Sequence, residues 1–281
     1  MPAIADCGME RTLALSHGSL SWDDIGSHRA ATTILLLHGF PHDRSLWTAQ
    51  AAAHEHSFPD VRLLIPDLPG FGRSAPLVSP GMDAYADALE PLLDAAGVER
   101  AIVGGLSMGG YIAFAFWRRH AARVHALMLM DTKATADSDA AKTGRRELIA
   151  TVEANGTGNV VPALVASQLG AGTRTGDPAL AARVEAMLRR ASATGVIAAA
   201  TAMLSRVDST PTLETIDVPT LVIVGDEDTL TPPSDAIAMS AGIRGARLVT
   251  VPGAGHLSPL EQPAIVNAAI AEFLDVAVRR S

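Results

Sequence analysis

Short apolar runs separated by longer helical stretches set the strongest limit on how this chain folds. Thr32 to Leu37 and Val61 to Ile65 are continuous apolar runs without in–out alternation, as expected of strands buried on both faces. Ala101 to Gly105, His125 to Met130, Pro219 to Gly225 and Arg247 to Val251 are further short β-like runs. Near the start, Thr12 to Leu15 and Leu20 to Trp22 flank His17-Gly18-Ser19 and read as a hairpin. Ser45 to His56 is Ala-rich and helical in pattern, and Met82 to Ala96 is a helix stopped by Gly97. Strand followed by helix, repeated, predicts an α/β protein: a mostly parallel sheet with helices on both faces.

One stretch interrupts this rhythm. From about Thr135 to Leu213 no strand-like run occurs, only the Ala/Leu/Val/Arg segments Ser138 to Ala154, Val160 to Leu169, Pro178 to Ala193 and Val196 to Arg206. Gly-rich breaks at 155–158 and 170–176 separate them. A structureless loop of that length does not suit a compact domain, so three or four inserted helices are expected. The expected organisation is one core domain, 1–134 with 214–281, carrying a helical insertion at 135–213. Gly156, Gly158, Gly170, Gly172 and Gly176 are candidate hinges, because glycine absorbs large backbone changes. No internal repeat is evident.

Composition removes several classes of function. At 281 residues and 48% hydrophobic content the chain can bury a large core. Its longest apolar runs, such as Tyr111 to Trp117, fall far short of the roughly 18 residues of a membrane span, so no membrane role is expected. A net charge of −8 without a basic stripe argues against a nucleic-acid partner, whose phosphates need Lys and Arg. Cys7 is the single cysteine, which leaves neither an internal disulfide nor a cysteine-rich zinc site. The opening MPAIADCGMERT lacks a basic segment followed by an apolar one, so the expectation is a cytoplasmic protein. Oligomeric state is not legible from the sequence.

Chemistry enters at Gly105-Leu106-Ser107-Met108-Gly109, a G-x-S-x-G between a predicted strand and a predicted helix. A serine there stands on a sharp turn, with glycines on either side because side chains would collide with neighbouring chain. The turn lifts the Ser107 hydroxyl above the carboxyl edge of the sheet, at a helix start whose N–H groups favour negative charge. A nucleophilic serine needs a base, and His256 follows the last predicted strand in Val251-Pro252-Gly253-Ala254-Gly255-His256. The base needs an orienting carboxylate, and Asp226-Glu227-Asp228 follows the preceding strand. The order Ser, Asp, His is that of one hydrolase architecture and differs from two other serine-protease orders.

These segments, with Leu37-His38-Gly39-Phe40 and Asp67-Leu68-Pro69-Gly70-Phe71-Gly72-Arg73-Ser74, resemble the α/β-hydrolase superfamily from about Thr12 to Val278. The resemblance implies an eight-stranded, mostly parallel sheet with one early antiparallel strand, and makes the helical insertion a cap. It points to Asp228 as the acid, with Asp131 as the alternative at the end of the preceding strand. His256 would take the Ser107 proton as the hydroxyl attacks an acyl carbon, and Asp228 would hold the imidazole. The oxyanion donors would be the backbone N–H groups of Phe40 and Met108. His38 would be structural, and His38 with His42 lacks the acids or cysteines of a metal site, so neither metal nor cofactor is expected.

Serine at the elbow disfavours the dehalogenase and epoxide-hydrolase branches, which resemblance would give an aspartate there. The tail Gly255 to Pro263 looks like that of 3-oxoadipate enol-lactonases and related esterases. The expected activity is hydrolysis of a small-molecule carboxylic ester with a small or medium acyl group. The alternatives are an enol-lactone or C–C bond hydrolase of aromatic degradation, a cofactor-free perhydrolase, and a small-molecule receptor or regulator. Trp47, Met203 and Leu257 are candidate substrate contacts.

Overall fold

The computed structural model describes residues 9–16 and 18–278. Cys7 and His17 lie outside them. The strands are β1 (Met9–Leu15), β2 (Gly18–Ile25), β3 (Thr32–Leu37), β4 (Val61–Pro66), β5 (Ala101–Leu106), β6 (Val124–Met130), β7 (Thr220–Gly225) and β8 (Arg247–Val251). They form one sheet in the order β1-β2-β4-β3-β5-β6-β7-β8. β2 runs antiparallel to both of its neighbours, and every other neighbouring pair is parallel. The single early antiparallel strand expected above is therefore β2.

The helices of the first half are α1 (Thr48–Ser57), which follows a 3-10 turn at Arg44–Trp47, α2 (Met82–Ala95) and α3 (Met108–His120). Between β6 and β7 come α4 (Asp139–Asn155), α5 (Val161–Gln168), α6 (Ala171–Gly176), α7 (Pro178–Arg190), α8 (Ala193–Leu204) and the single turn α9 (Thr210–Leu213). The chain closes with α10 (Pro233–Gly242), α11 (Ser258–Glu261) and α12 (Pro263–Val278).

Successive strand residues point to opposite faces, and the core divides accordingly. Leu35, Leu37, Leu64 and Val103 pack with Leu89 of α2, Phe114 of α3 and Met239 of α10. Ile34, Leu36, Leu63 and Ile102 pack with Phe58 at the end of α1 and with Ile270 and Phe273 of α12. The inserted helices divide too: Ala199, Ala202 and Met203 of α8 join the first cluster, while Val184, Met187 and Leu188 of α7 join the second.

One expectation for the insertion needs correction. The Gly-rich stretch 170–176, read from sequence as a break, contains α6, and its first N–H groups are satisfied from outside. Gly170 N–H donates to Glu261 (2.8 Å) and Ala171 N–H to Glu227 (2.7 Å). Carboxylates distant in sequence thus occupy a helix start that local composition does not favour. Of the five candidate hinge glycines only Gly156 holds a positive φ, +78°, and Gly170 is buried against neighbouring loops.

Because β3, β5, β6, β7 and β8 run the same way, the loops leaving their carboxyl ends gather along one edge, where open α/β sheets hold their ligands. The tightest point is the junction of β5 and α3. A Cβ on Gly109 would lie 2.2 Å from the Leu37 carbonyl oxygen, and one on Gly105 would lie 2.2 Å from the Gly109 carbonyl carbon. We expect Gly109→Ala to lower stability by about 1–3 kcal/mol, as overpacking does, measured as a shift in the denaturant midpoint at unchanged slope.

Candidate active site

The nucleophile candidate is strained by its own backbone. Ser107 has φ 55° and ψ −112°, and a non-glycine residue held at positive φ costs of order 1–3 kcal/mol. The neighbouring strand end sustains it: Ser107 N–H donates to the Met130 carbonyl (2.9 Å), and Thr132 Oγ1 donates to the Ser107 carbonyl (2.8 Å). Gly110 and Tyr111 donate back to the same carbonyl, which begins α3. Met108, as its first residue, has an N–H without a partner in the helix.

Two loops bring the other groups to Ser107. His256 Nε2 lies 2.8 Å from Ser107 Oγ, and its Nδ1 lies 2.8 Å from Asp228 Oδ2. The carboxylate can only accept, so Nδ1 carries the proton and Nε2 presents its lone pair to the hydroxyl. Asp228 is held in turn by the Leu230 and Thr231 N–H groups and by Thr231 Oγ1 at 2.7 Å. The structure therefore brings Ser107, His256 and Asp228 into one hydrogen-bonded chain.

Asp131 has a different environment. Its Oδ1 accepts from Gly225 N–H (2.9 Å), and its Oδ2 takes the Ser258 hydroxyl (2.6 Å). Burial, reinforced by the Asp228 charge, pushes its carboxyl up to about 8, so at neutral pH it carries a proton. Asp228 goes the other way: burial opposes its charge, but His256 and the Thr231 hydrogen bonds outweigh burial and hold it below the usual carboxylate range. For His256 burial alone would lower the pKa, yet the Asp228 charge and hydrogen bond raise it on balance. Asp131 can add to that rise only where it is itself ionised. Two carboxyls near one imidazole thus divide into a charged orienter and a neutral brace.

The turn after β3 passes directly over the elbow, since a Cβ on Gly39 would sit 3.4 Å from Ser107 Cβ. Phe40 follows, joined to Pro41 by a cis peptide. His38 is fully buried, accepting from Leu68 N–H at Nε2 (2.9 Å), with Nδ1 2.9 Å from the Gly39 carbonyl. Nε2 accepts, so the proton is on Nδ1, and burial holds the ring neutral. His38 pins the turn to the loop after β4 and stays outside the proton chain. His42 contacts Gln168 and Met187 instead, and among the described residues no group of three or more His, Cys, Asp or Glu is placed to hold a metal.

Trp47, Met203 and Leu257 are all closed into the packed interior. They do not converge: Trp47 and Leu257 share one hydrophobic cluster and Met203 belongs to the other. Thr231, Ser258, Glu261 and Gln168 were not foreseen from sequence. Only Thr231 had a local signal, three residues after an acid whose carboxylate caps its N–H.

A family model described as the alpha/beta hydrolase fold matches residues 32–263, and the chain belongs to that family. It is similar to a solved thermophilic esterase from Thermogutta terrifontis at 36% identity and a TM-score of 0.88, over 96% of this chain and 99% of that one. It is also similar to the enol-lactonase from Burkholderia xenovorans, at 26% identity and a TM-score of 0.86, over 94% and 100% of the two chains. A 2-hydroxy-6-oxononadienedioate/2-hydroxy-6-oxononatrienedioate hydrolase from Cupriavidus pinatubonensis is 28% identical over 97% of each chain. Family and relatives make this protein a hydrolase of a small-molecule substrate. Among the described residues no helix is long and apolar enough to cross a membrane.

The division between the two carboxyls gives a direct contrast. Asp228→Asn should lower kcat by about 10⁴-fold through loss of the correct His tautomer, whereas Asp131→Asn, which mimics a side chain already neutral at pH 7, should stay within about tenfold. The acid limb of kcat/KM should lie above the pKa of a free imidazole, because the base form of His256 is lost as pH falls through its raised value. A pH–rate profile of wild type and both variants measures all three.

Proposed function

We propose that the protein is a serine hydrolase that cleaves carboxylic esters of small or medium acyl groups through an acyl-enzyme. The observation that carries this reading is the unbroken hydrogen-bonded chain from Asp228 through His256 to Ser107 Oγ, ending on a serine held in the strained elbow. In the first half-reaction His256 Nε2 takes the hydroxyl proton as Oγ bonds to the acyl carbon. The tetrahedral oxygen is met by the N–H groups of Phe40 and Met108, and collapse expels the alcohol, which takes its proton from His256. Water then repeats the sequence on the acyl-enzyme, releasing the acid and restoring Ser107.

The esterase relative at 36% identity favours an ester over another acyl compound. In this reading residues 135–213 act as a cap over the site. A second reading follows from the Cupriavidus relative named for 2-hydroxy-6-oxononadienedioate: the same serine or a serine-activated water attacks a ketone carbonyl, and a carbon leaving group departs. Its mark would be turnover of such a keto acid with little turnover of simple esters.

Hydrolysis of p-nitrophenyl acetate and butyrate separates these outcomes. Wild type should turn over both, Ser107→Ala should reduce kcat by about 10⁶-fold, and an organophosphonate adduct should map to Ser107 by mass spectrometry. Undiminished hydrolysis by Ser107→Ala, or an adduct on another residue, would sink the serine mechanism. Labelling of Ser107 without turnover of any C2 to C8 ester would sink only the ester assignment.

A further inference from the structure

Gln168 is the last residue of α5, an otherwise apolar helix apart from Ser167, and it is almost fully buried. Its amide orientation is fixed by what surrounds it. One end lies 3.0 Å from the Phe40 carbonyl oxygen, which can only accept, so that end is the NH₂ group. The other end is then Oε1, 3.1 Å from His42 Nε2, which must carry a proton. Burial foremost, with His38 next, pushes His42 down to about 3, so its ring stays neutral and has a single N–H to give. His42 and Gln168 therefore form a polar chain of one direction, ending on the carbonyl of the residue whose N–H would be an oxyanion donor.

The backbone of the same residue reaches the other half of the site. A helix leaves its last carbonyls without intrahelical partners, and the Gln168 carbonyl accepts the N–H of His256 at 2.8 Å. The N–H groups on either side, Gly255 and Leu257, both donate to Glu261 Oε1 (2.9 and 3.2 Å), and Glu261 Oε2 takes Gly170 N–H. Three successive N–H groups around the imidazole are thus fixed, one of them by the insertion itself. The approach is close enough to require glycine: a Cβ on Gly255 would lie 2.3 Å from Gly170 N and 3.0 Å from the Gln168 carbonyl oxygen.

We propose that Gln168 is a positioning residue, which sets the Phe40 turn through its side chain and His256 through its carbonyl when α5 is seated on the core. Assembly of the oxyanion donor and the base is then one event with docking of the inserted helices. This rests on the serine-hydrolase reading above. It extends that reading by assigning the coupling between insertion and site to a single amide.

Gln168→Met keeps the volume and removes both side-chain hydrogen bonds, and Gln168→Glu keeps the acceptor for His42 while placing a second acceptor against the Phe40 carbonyl. Both should lower kcat on a p-nitrophenyl ester by about tenfold or more, less than the ~10²–10³ of losing an oxyanion donor outright, with KM changed less than threefold. Affinity for a trifluoromethyl ketone analogue of the tetrahedral state should fall in parallel with kcat/KM, which a purely structural role would not produce. The low-field proton resonance of His256 Nδ1–H, which needs no substrate, should shift or broaden in Gln168→Met. Either variant with wild-type kcat and analogue affinity, or an unchanged His256 resonance, would overturn the assignment. If wild type neither turns over esters nor labels at Ser107, the hydrolase reading fails by itself, and the resonance comparison still decides whether the Gln168 side chain is coupled to His256.

Discussion

Everything in the site is measured from one forced backbone conformation, the positive φ of Ser107 where β5 passes into α3. A lone residue would leave that region at once; here it is retained by Met130 and Thr132 on one side of the peptide and by the helix start on the other. The glycines beside it let α3 lie against β3 closely enough that a single methyl group would strike the Leu37 carbonyl. The strain is therefore stored locally and sustained by the sheet, and it fixes Oγ before any partner arrives. His256 and the turn at His38 to Phe40 need only be brought up to a point already set.

Electrostatics then sorts two acids that sequence position alone left open. Asp131 and Asp228 end adjacent strands, both are buried, and both lie near the same imidazole. The difference is in donors: Asp228 receives two backbone N–H groups, a hydroxyl and an imidazole N–H, enough to keep a charge out of water. Asp131 receives fewer and lies beside a carboxylate that is already ionised, so it keeps its proton. The Ser258 hydroxyl and N–H both donate to its Oδ2, which ties the loop after β8 to the end of β6 without competing for His256.

The fold was legible because the strands are short, because those at the centre of the sheet are apolar and buried on both faces, and because helices punctuate them; all eight expected runs form strands in the sheet. Ser107, Asp228 and His256 were legible because each lies just beyond the carboxyl end of a strand, Ser107 next to β5 and the other two on the loops after β7 and β8. What was missed acts through contacts between distant segments. α6 forms because Glu227 and Glu261 meet its first turn, and nothing in a run of Gly, Thr and Arg announces that. Gln168 is a polar residue at the end of an otherwise mostly apolar helix, and its contacts with Phe40 and His256 come from where α5 ends. A pocket is a property of how several helices meet, which single residues do not reveal: Trp47 and Leu257 share one hydrophobic cluster and Met203 lies in the other.

The inserted helices are fastened to two independent layers, α8 in the hydrophobic cluster with α3 and α7 in the cluster with α12. This has a bearing on how such a chain diversifies. A segment bolted to one surface could be exchanged between relatives as a module, its interior free to change while a single seam is kept. One that packs into two separate clusters cannot be traded so simply, because a graft must match two unrelated surfaces at once. Change in substrate range is thereby steered toward point substitution within the existing helices and away from wholesale replacement.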